Sequence, residues 1–318
     1  MDLEMMRQRA AVIRQVRSFF ENKNYLELDT PLLCGDLIPE SCLEVFQTER
    51  LFPHGSKKDS HPLWLIPSPE IWMKKIISRQ RVNVFQICKC FRNGESTGHL
   101  HSSEFTMLEY YTMNCDYMDS LALTEELFSS IAEKERYTPF NRVTVAGAFQ
   151  EYAGFDLFET AAKGADAMEE KARLLGLEPV KGMTTAQLYD LIFIHSVEPR
   201  LKSGKPVALL DYPTFVPCLA KKSKDGKTAE RWELYYNGIE LANCFSEETE
   251  PQKVKEFFIS EEVEKNKIAI VKHKVDHDYW KMFENGGFPK CSGVAMGMDR
   301  LIMALTGKSS IDMVINCA

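Results

Sequence analysis

Four polar segments interrupt otherwise apolar patterns in this sequence, and together they hold the residue types that handle a nucleotide. They are SPE at 68–70, the FRNGE and HSSEFTMLEYY runs within 91–111, GIELANCFSEE at 238–248 and CSGVAMGMDRL at 291–301. Arg92 and Arg300 could bind phosphates through charge-assisted, often bidentate hydrogen bonds. Carboxylates such as Glu240 and Glu247 could hold Mg2+, and further carboxylates could bind an ammonium group. The combination is typical of ATP-dependent acyl activation.

Arg300 stands out because it directly follows a stretch of small and apolar residues. Burying a guanidinium without a partner costs several kcal/mol or more. Arg300 therefore either reaches solvent at the start of a helix or meets an anionic ligand. A cation at a helix N-terminus opposes the helix dipole, although this surface position remains an alternative for the residue taken alone.

Strand geometry limits which carboxylates can act together. Glu109 and Tyr111 are two residues apart and share one face of an ideal strand. Glu240 and Glu247 are seven apart, so they converge only if the strand bends or bulges, which we expect near Asn243-Cys244. A single strand carboxylate is more typical of a solvated face. The presence of all four polar segments in one chain favours a functional site over four separate solvated positions.

The first half of the chain predicts the elements that would carry two of these segments. Apolar residues at helical spacing predict a helix over 4–24, and YLELDTP predicts a short strand ending at Pro31. LWLIPSPEIWMKKII predicts a strand followed by a helix, with Ser68 as N-cap and Pro69 in the first helical position. VNVFQICKCF and EFTMLEYYTM predict an antiparallel pair joined by a long polar loop.

The second half predicts a helical region followed by further strands. Residues 117–203 are mostly helical in pattern, and strand patterns return in PVALLDYP and RWELYYNGIELAN, where Asn237-Gly238 is a strong two-residue hairpin signal. The apolar helix DRLIMALTG is expected to end at Gly307. We therefore predict one α+β domain over 1–318, an antiparallel β-sheet flanked by helices with a helical insertion at 117–203.

Composition places the chain among ordinary globular proteins and excludes several classes. Hydrophobic residues make up 44% and charged residues 27%, and the net charge of −7 argues against a surface dominated by nucleic-acid phosphates. The sequence has no GxxxxGK[ST] motif and no GxGxxG after a strand. No apolar run is long enough to span a membrane, and nine dispersed cysteines favour reduced thiols. We expect a cytoplasmic protein without membrane attachment.

Several segments resemble the signature motifs of class II aminoacyl-tRNA synthetases. The FRN and H..EFTMLEYY runs resemble motif 2, GVAMGMDRL resembles motif 3, and YLELDTP resembles motif 1, the dimer-forming element. SPE and GIELAN.FSE narrow the resemblance to the lysyl branch.

Within the lysyl branch the chain is most similar to short paralogues that attach (R)-β-lysine to elongation factor P. The chain begins inside the motif 1 helix, so we expect no N-terminal anticodon-binding OB-fold. Ala295 stands where lysyl-tRNA synthetases usually have glycine and these paralogues usually have alanine. A methyl group added to a close-packed pocket floor could favour a lysine whose amino group is on the β carbon.

The resemblance implies a role for each matching residue. Arg92 would bind the α-phosphate and the activated carboxylate and Arg300 the γ-phosphate, which makes these two the catalytic residues. The ATP site would also include Asn93, Glu95, His101, Ser102, Glu240, Leu241 and Gly297. The lysine pocket would contain Ser68, Pro69, Glu70, Glu109, Tyr111, Asn243, Glu247 and Ala295. Mg2+ would be held by Glu240 and Glu247.

The resemblance also implies the reaction and the partners. With ATP and Mg2+, (R)-β-lysine would become an aminoacyl-adenylate and then pass to the ε-amino group of a lysine on elongation factor P. A homodimer is expected from motif 1, and tRNA charging is not expected. No protein nucleophile is required, because positioning and charge stabilisation at the α-phosphate would supply catalysis.

Two alternatives remain open. One is a lysyl-tRNA synthetase reduced to its catalytic core, or another lysine-activating ligase; the expected lack of an anticodon domain, the acidic charge and Ala295 count against it. The other is a zinc module built from Cys88-x-Cys90 and His99-x-His101. Structural zinc sites usually space their cysteines by two to four residues, so the CxC pair is a weak signal.

Overall fold

The structure is a computed structural model that describes residues 3–52, 60–95 and 98–315. The chain divides into two compact units, one formed by Met1–Asn114 with Glu248–Ala318 and the other by Cys115–Glu247. The glutamates at 240 and 247 belong to the second unit, whereas both predicted catalytic arginines belong to the first.

The first unit begins with α1 (Leu3–Asn22), β1 (Leu26–Glu27), β2 (Leu33–Cys34), β3 (Gln47–Arg50), β4 (His61–Leu65), α2 (Glu70–Gln80), β5 (Val84–Phe91) and β6 (Glu104–Met113). The second unit contains α3 (Tyr117–Ile131), α4 (Lys134–Tyr137), β7 (Asn141–Thr144), α5 (Val145–Ala148), α6 (Leu157–Ala162), α7 (Ala165–Leu174), α8 (Thr185–Ile192), β8 (Val207–Pro213), β9 (Thr228–Tyr236) and β10 (Ile239–Ser246). The first unit then resumes with α9 (Pro251–Ile268), β11 (Cys291–Gly297) and α10 (Met298–Thr306).

The first unit is built on strands in the order β1-β5-β6-β11. β6 pairs antiparallel with both β5 and β11, whereas the short β1 pairs parallel with β5. Helix α1 packs on this sheet because its Val16 and Phe20 are fully buried, and the Phe20 ring lies 5.0 Å from the ring of Phe85. A second sheet has the order β2-β4-β3.

The second unit is built on strands in the order β10-β9-β8-β7. Asn237 and Gly238 join β9 to β10 with φ angles of 52° and 79°, as the predicted hairpin requires at both turn positions. Helices α5 to α8 pack on β8 and β9 around a core that includes Phe149, Tyr189 and Leu209. The helices predicted within 117–203 are observed as α3 to α8, and the same range also contains the strand β7, which was not predicted.

The bulge that the glutamate spacing requires lies at Leu241 and not near Asn243-Cys244. Glu240 pairs with Tyr235 and Ala242 pairs with Leu234, so Leu241 is the extra residue on β10. One inserted residue turns the odd spacing between Glu240 and Glu247 into an effectively even one. Alternation from Asn243 onwards then directs Glu247 to the face that carries Glu240.

The predicted α+β class is confirmed, with helices packed on mainly antiparallel strands in each unit. α10 ends where predicted, because Gly307 adopts a left-handed φ of 66° as its C-cap. Helix α2 begins one residue later than predicted, because Pro69 and not Ser68 is its N-cap. Ser68 Oγ still accepts the amide of Glu70 at 3.1 Å. Of the helices that the structure describes, none has the length and apolar content to cross a bilayer.

Candidate active site

Glu109 is the centre of a buried hydrogen-bonded group on β6. Its carboxylate accepts a hydrogen bond from Ser68 Oγ at 2.5 Å and another from Tyr111 Oη at 2.6 Å. Only 3% of Glu109 is exposed, and Tyr111, on the same face of the strand, is equally buried. The structure thus brings together three of the residues predicted for a lysine pocket.

Glu70 lies beside this group, at the start of α2. Its Oε1 accepts a hydrogen bond from Lys74 Nζ at 2.6 Å, one helical turn further on. The Lys74 side chain is fully buried and its ammonium lies 6.0 Å from the centre of the Tyr111 ring. Lys74 was not predicted as a site residue, because a lysine at i+4 from a glutamate is typical of exposed helices.

Burial, with a further contribution from the charge of nearby Glu70, raises the pKa of Glu109 to about 8. The hydrogen bonds from Ser68 and Tyr111 act in the opposite direction, because they stabilise the ionised form. Without a ligand, Glu109 is therefore largely protonated at neutral pH. A cationic group that binds beside Glu109 would stabilise its ionised form further, as Lys74 already does in part.

Strand β11 pairs with β6 and places small residues opposite this hydrogen-bonded group. Ala295 is paired directly with Glu109, and Gly293 is paired with Tyr111. On the other side of β6, Gln86 is paired with Glu109 and is held by Thr30 Oγ1 at 3.0 Å. Ala295 therefore lies directly opposite Glu109 on the neighbouring strand.

Arg92 directly follows the C-terminal end of β5 in the first sheet. Its backbone amide donates to the Ser103 carbonyl at 3.0 Å, and its guanidinium lies 5.3 Å from the centre of the Phe105 ring. The Nε atom is buried and has no hydrogen-bond partner among the described residues. A buried guanidinium nitrogen in this state favours an anionic ligand.

Arg300 lies in the first turn of α10, just after β11. Its Nε donates to the Leu100 carbonyl at 3.2 Å, in the loop that joins β5 to β6. A Cβ atom added to Gly297 would lie 3.8 Å from Arg300 Cδ, in ordinary van der Waals contact, so Gly297 lies directly beside the Arg300 side chain. Since β5 and β11 are both antiparallel to β6, their C-terminal ends lie at the same end of the sheet. Arg92 and Arg300 each follow one of these strand ends.

Asp299, the neighbour of Arg300, is anchored in the interior by α1. Arg9 NH1 lies 2.6 Å from Asp299 Oδ1, and both side chains are more than nine-tenths buried. Asp299 Oδ2 also accepts the backbone amide of Thr106 at 2.7 Å. The aspartate therefore fixes the start of α10 from which Arg300 projects. Sequence reasoning missed Arg9, because its partner is almost 300 positions away in the chain.

The remaining residues of the first unit that were predicted to bind ATP lie in the segment after Arg92. His101 Nδ1 is 3.0 Å from Glu95 Oε2, and Ser102 is half-buried beside it in sequence. Asn93 donates its backbone amide to the Glu44 carbonyl at 2.9 Å. Neither Glu44 nor the loop that contains it was predicted to contact this segment.

The second unit holds the other predicted ligands, on and after β10. Glu240 is half-buried, Leu241 is the bulged residue, and Glu247 is 3% exposed. Asn243 Oδ1 accepts a hydrogen bond from Arg231 Nε at 3.1 Å. Arg231 in turn pairs with Glu233, which also accepts hydrogen bonds from Tyr212 at 2.5 Å and Tyr235 at 2.6 Å.

The carboxylates of Glu240 and Glu247 are oxygen donors of the kind that Mg2+ prefers, and the Leu241 bulge directs them to one face. No group of three or more histidine, cysteine, aspartate or glutamate residues with metal-site geometry occurs in the described parts of the chain. Two carboxylates still fit Mg2+, which usually completes its shell with waters and substrate phosphates. Cys88 and Cys90 have sulfur atoms 3.9 Å apart, but they form no such group with the histidines at 99 and 101.

Comparison with known proteins supports the motif resemblance over the whole chain. Residues 2–317 match the family model described as tRNA synthetases class II (D, K and N). A protein of Avibacterium paragallinarum named elongation factor P--(R)-beta-lysine ligase is 34% identical over 98% of this chain and 94% of its own length. Proteins with the same name from Vibrio atlanticus (34%; 98% of this chain, 94% of its own length) and from Buchnera aphidicola subsp. Schizaphis graminum (33%; 97% and 93%) are also similar.

These matches confirm the predicted catalytic fold and the expectation of an ATP-dependent ligase, since the motif segments, the sheet that carries them and the named relatives agree. The chain belongs to the class II tRNA synthetase family (D, K and N).

Proposed function

We propose that this chain activates (R)-β-lysine with ATP and transfers it to the ε-amino group of a lysine on elongation factor P. The observation that carries the proposal is the buried Ser68–Glu109–Tyr111 group with Ala295 paired opposite Glu109. A buried carboxyl with a raised pKa next to a second carboxylate suits a substrate that brings an ammonium group. The names of the similar ligases support this choice of substrate and acceptor.

The first step is the formation of an aminoacyl-adenylate. A carboxylate oxygen of the amino acid attacks the α-phosphorus of ATP, and the bond to the β-phosphate breaks to release pyrophosphate. Arg92 binds the α-phosphate and the reacting carboxylate, and Arg300 binds the γ-phosphate. The other proposed ATP contacts are Asn93, Glu95, His101, Ser102, Glu240, Leu241 and Gly297.

In the second step the ε-amino group of the acceptor lysine attacks the carbonyl carbon of the adenylate. An amide bond forms, AMP leaves with the electron pair of the anhydride bond, and the amine loses a proton. Glu109, Tyr111, Ser68, Glu70 and Ala295 hold the amino acid during both steps. Pro69, Asn243 and Glu247 are proposed as further contacts of the amino acid.

Mg2+ is proposed to bind Glu240 and Glu247 and, when bound, to neutralise the charge of the triphosphate. We further propose that the protein acts as a homodimer, for which the motif 1 resemblance is the support. A translation factor as acceptor favours the cytoplasm as the place of the reaction.

The test is to incubate the protein with ATP, Mg2+, elongation factor P and each lysine isomer and to measure the intact mass of the acceptor. We expect one added lysyl group with (R)-β-lysine, and amino-acid-dependent ATP–pyrophosphate exchange with the same isomer. Absence of exchange with every lysine isomer contradicts the proposal. Because the family model includes lysine-specific tRNA synthetases, a parallel assay follows charging of tRNA with α-lysine, which we expect to be negative.

A further inference from the structure

Arg231 on β9 has no role in the proposed reaction, yet its side chain is held from three sides. Its Nε donates to Asn243 Oδ1 at 3.1 Å, its Nη2 donates to Glu233 Oε1 at 2.5 Å, and its guanidinium lies 4.3 Å from the centre of the Tyr212 ring. Only 15% of the Arg231 side chain is exposed. These contacts fix the guanidinium and connect it to Asn243, a proposed contact of the amino acid.

Glu233 holds the guanidinium on the side away from Asn243. Its Oε2 accepts hydrogen bonds from the hydroxyl groups of Tyr212 at 2.5 Å and Tyr235 at 2.6 Å, and these three residues are each 9% exposed or less. Both carboxylate oxygens therefore have partners, and Arg231 supplies the counter-charge. A buried ion pair with further hydrogen bonds keeps one geometry, because a shift would leave a charge without its partner.

The sheet is irregular on both sides of Arg231, which brings these contacts to one face. Asn243 pairs directly with Glu233, so Arg231, two residues before Glu233, is its diagonal neighbour. On the other side, β8 changes register at Asp211, whose φ is 63°, and Tyr212 beyond it reaches Glu233. The bulge on β10 lies just before Asn243. Such irregularities are common beside active sites, where they re-aim side chains.

The contact with Arg231 determines which way the side-chain amide of Asn243 points. An arginine side chain has only donors, so the atom of Asn243 that faces it must be the oxygen Oδ1. The Nδ2 amino group, which can only donate, is then what Asn243 offers to a ligand. Without Arg231 the amide would be able to rotate by half a turn and present its oxygen instead.

We propose that Arg231 is a positioning residue of the amino-acid site: together with Glu233, it holds Asn243 in the orientation that donates a hydrogen bond to the bound amino acid. The inference rests on the proposed function, in which Asn243 contacts the amino acid. Arg231 acts on the substrate only through Asn243, so its effect depends on the amide at position 243.

The first test is a double-mutant cycle of Arg231→Lys and Asn243→Ala, measured by ATP–pyrophosphate exchange with (R)-β-lysine. Lysine keeps the charge beside Glu233 but lacks the rigid fork that binds Glu233 and Asn243 together. We expect each single variant to lower kcat/KM for (R)-β-lysine about tenfold, with the KM for ATP near its wild-type value. The double variant should be no worse than Asn243→Ala alone, because Arg231 has no further effect once the amide is absent.

The second test leaves Arg231 in place. Asn243→Asp keeps an oxygen for Arg231 to bind but removes the donor group. We expect kcat/KM for (R)-β-lysine to fall at least as far as in Asn243→Ala. A lower KM for (R)-β-lysine in Asn243→Asp would show that position 243 accepts from a substrate ammonium, and it would overturn the inference. This variant decides the question even if Arg231→Lys does not fold.

Arg142→Lys is the matched control, because Arg142 lies on β7 of the same unit, pairs with Glu125 at 3.2 Å and has 45% of its side chain exposed. It should exchange and unfold like the wild type.

Two results of the cycle overturn the inference while leaving the proposed function intact. One is an unchanged kcat/KM in Arg231→Lys. The other is a double variant whose loss is the product of the two single losses, about 100-fold, as expected for a residue that acts independently of Asn243. A wild type without exchange for any lysine isomer contradicts the proposed function itself, and the inference falls with it.

Discussion

Ala295 on β11 is paired directly with Glu109 on β6, so the two side chains leave neighbouring strands side by side on the same face of the sheet. Directly paired residues on antiparallel strands have Cβ atoms about 4.5–5.5 Å apart. A change of one methyl group at position 295 therefore alters the space around the group that we propose to bind the substrate ammonium.

We predict that Ala295→Gly moves the preference of the enzyme from (R)-β-lysine towards α-lysine. A methyl-sized difference in a pocket is worth about 1–3 kcal/mol, so the ratio of kcat/KM values should change by roughly tenfold or more. The measurement is ATP–pyrophosphate exchange with each isomer. Ser292→Ala serves as control, since position 292 faces away from Glu109 on the same strand. An unchanged ratio would remove Ala295 from the specificity determinants.

We predict that lysine binding releases protons near neutral pH. The pKa of Glu109 is raised to about 8, so its carboxyl is largely neutral in the empty pocket and ionises when an ammonium arrives. The KM for lysine should therefore fall as pH rises from about 6.5 to 8.5. Calorimetry in buffers with different ionisation enthalpies measures the released protons. Glu109→Gln should raise the KM and remove most of the pH dependence; a slope equal to that of the wild type would contradict this role.

We predict that Glu109 also makes the free energy of unfolding of the ligand-free protein depend on pH. Because the pKa of Glu109 is higher in the folded state than the ordinary value of 4.5, the folded protein keeps this proton longer than the unfolded chain. The contribution of Glu109 to the free energy of unfolding is therefore fully present below pH 4.5 and is lost as pH rises towards about 8. The difference between wild type and Glu109→Gln in urea unfolding at several pH values measures it, and a difference that is constant with pH would argue against the raised pKa.

We predict that Arg9→Met destabilises the protein strongly and weakens ATP binding. It leaves Asp299 buried without its partner, which costs about 3–5 kcal/mol. Asp299 also fixes the start of α10, so Arg300 should lose its position and the KM for ATP should rise. Denaturant unfolding and pyrophosphate exchange measure the two effects.

Arg17→Met on the same helix is the matched control for Arg9→Met. Its partner Glu27 and Arg17 itself are about one-third or more exposed, and an exposed pair contributes only about 0–1 kcal/mol. Equal destabilisation by the two substitutions would contradict the anchoring role of Arg9.

We predict that Arg92→Lys and Arg300→Lys each reduce the exchange rate about 100- to 1,000-fold, the range found when one donor to a developing charge is removed. Lysine keeps the positive charge but lacks the planar, bidentate geometry of arginine. Both variants should stay folded, as circular dichroism would show. Arg81→Lys is the control, because Arg81 is exposed and donates to the Gly286 carbonyl. An exchange rate within about tenfold of wild type would remove either arginine from the catalytic residues.

Much of the fold could be predicted from the sequence, because local signals determine those parts. Helix α1 has apolar residues at helical spacing, and the β9–β10 turn has the Asn-Gly pair that tolerates positive φ angles. The antiparallel pairing of the two motif strands β5 and β6 was also predicted correctly. In these cases the signal lies within a few neighbouring residues.

The parts that the sequence could not predict depend on contacts between distant residues. The bulge at Leu241 is set by pairing with β9, and nothing in GIELANCF distinguishes positions 241 and 243. Arg9 and Lys265 look like ordinary charges on amphipathic helices until their buried partners are known. The residues next to Glu44 in the sequence give no indication of its contacts, because it is hydrogen-bonded to residues 93, 270 and 271.

Because Leu241 is an extra residue on β10, the number of residues between Glu240 and Glu247 determines whether the two side chains lie on the same face of the sheet. A chain that dropped one amino acid from this stretch would regain a regular ladder and at once send one of the two carboxylates to the opposite side. Single-residue deletions between these glutamates should therefore be tolerated far less well than substitutions at the same positions.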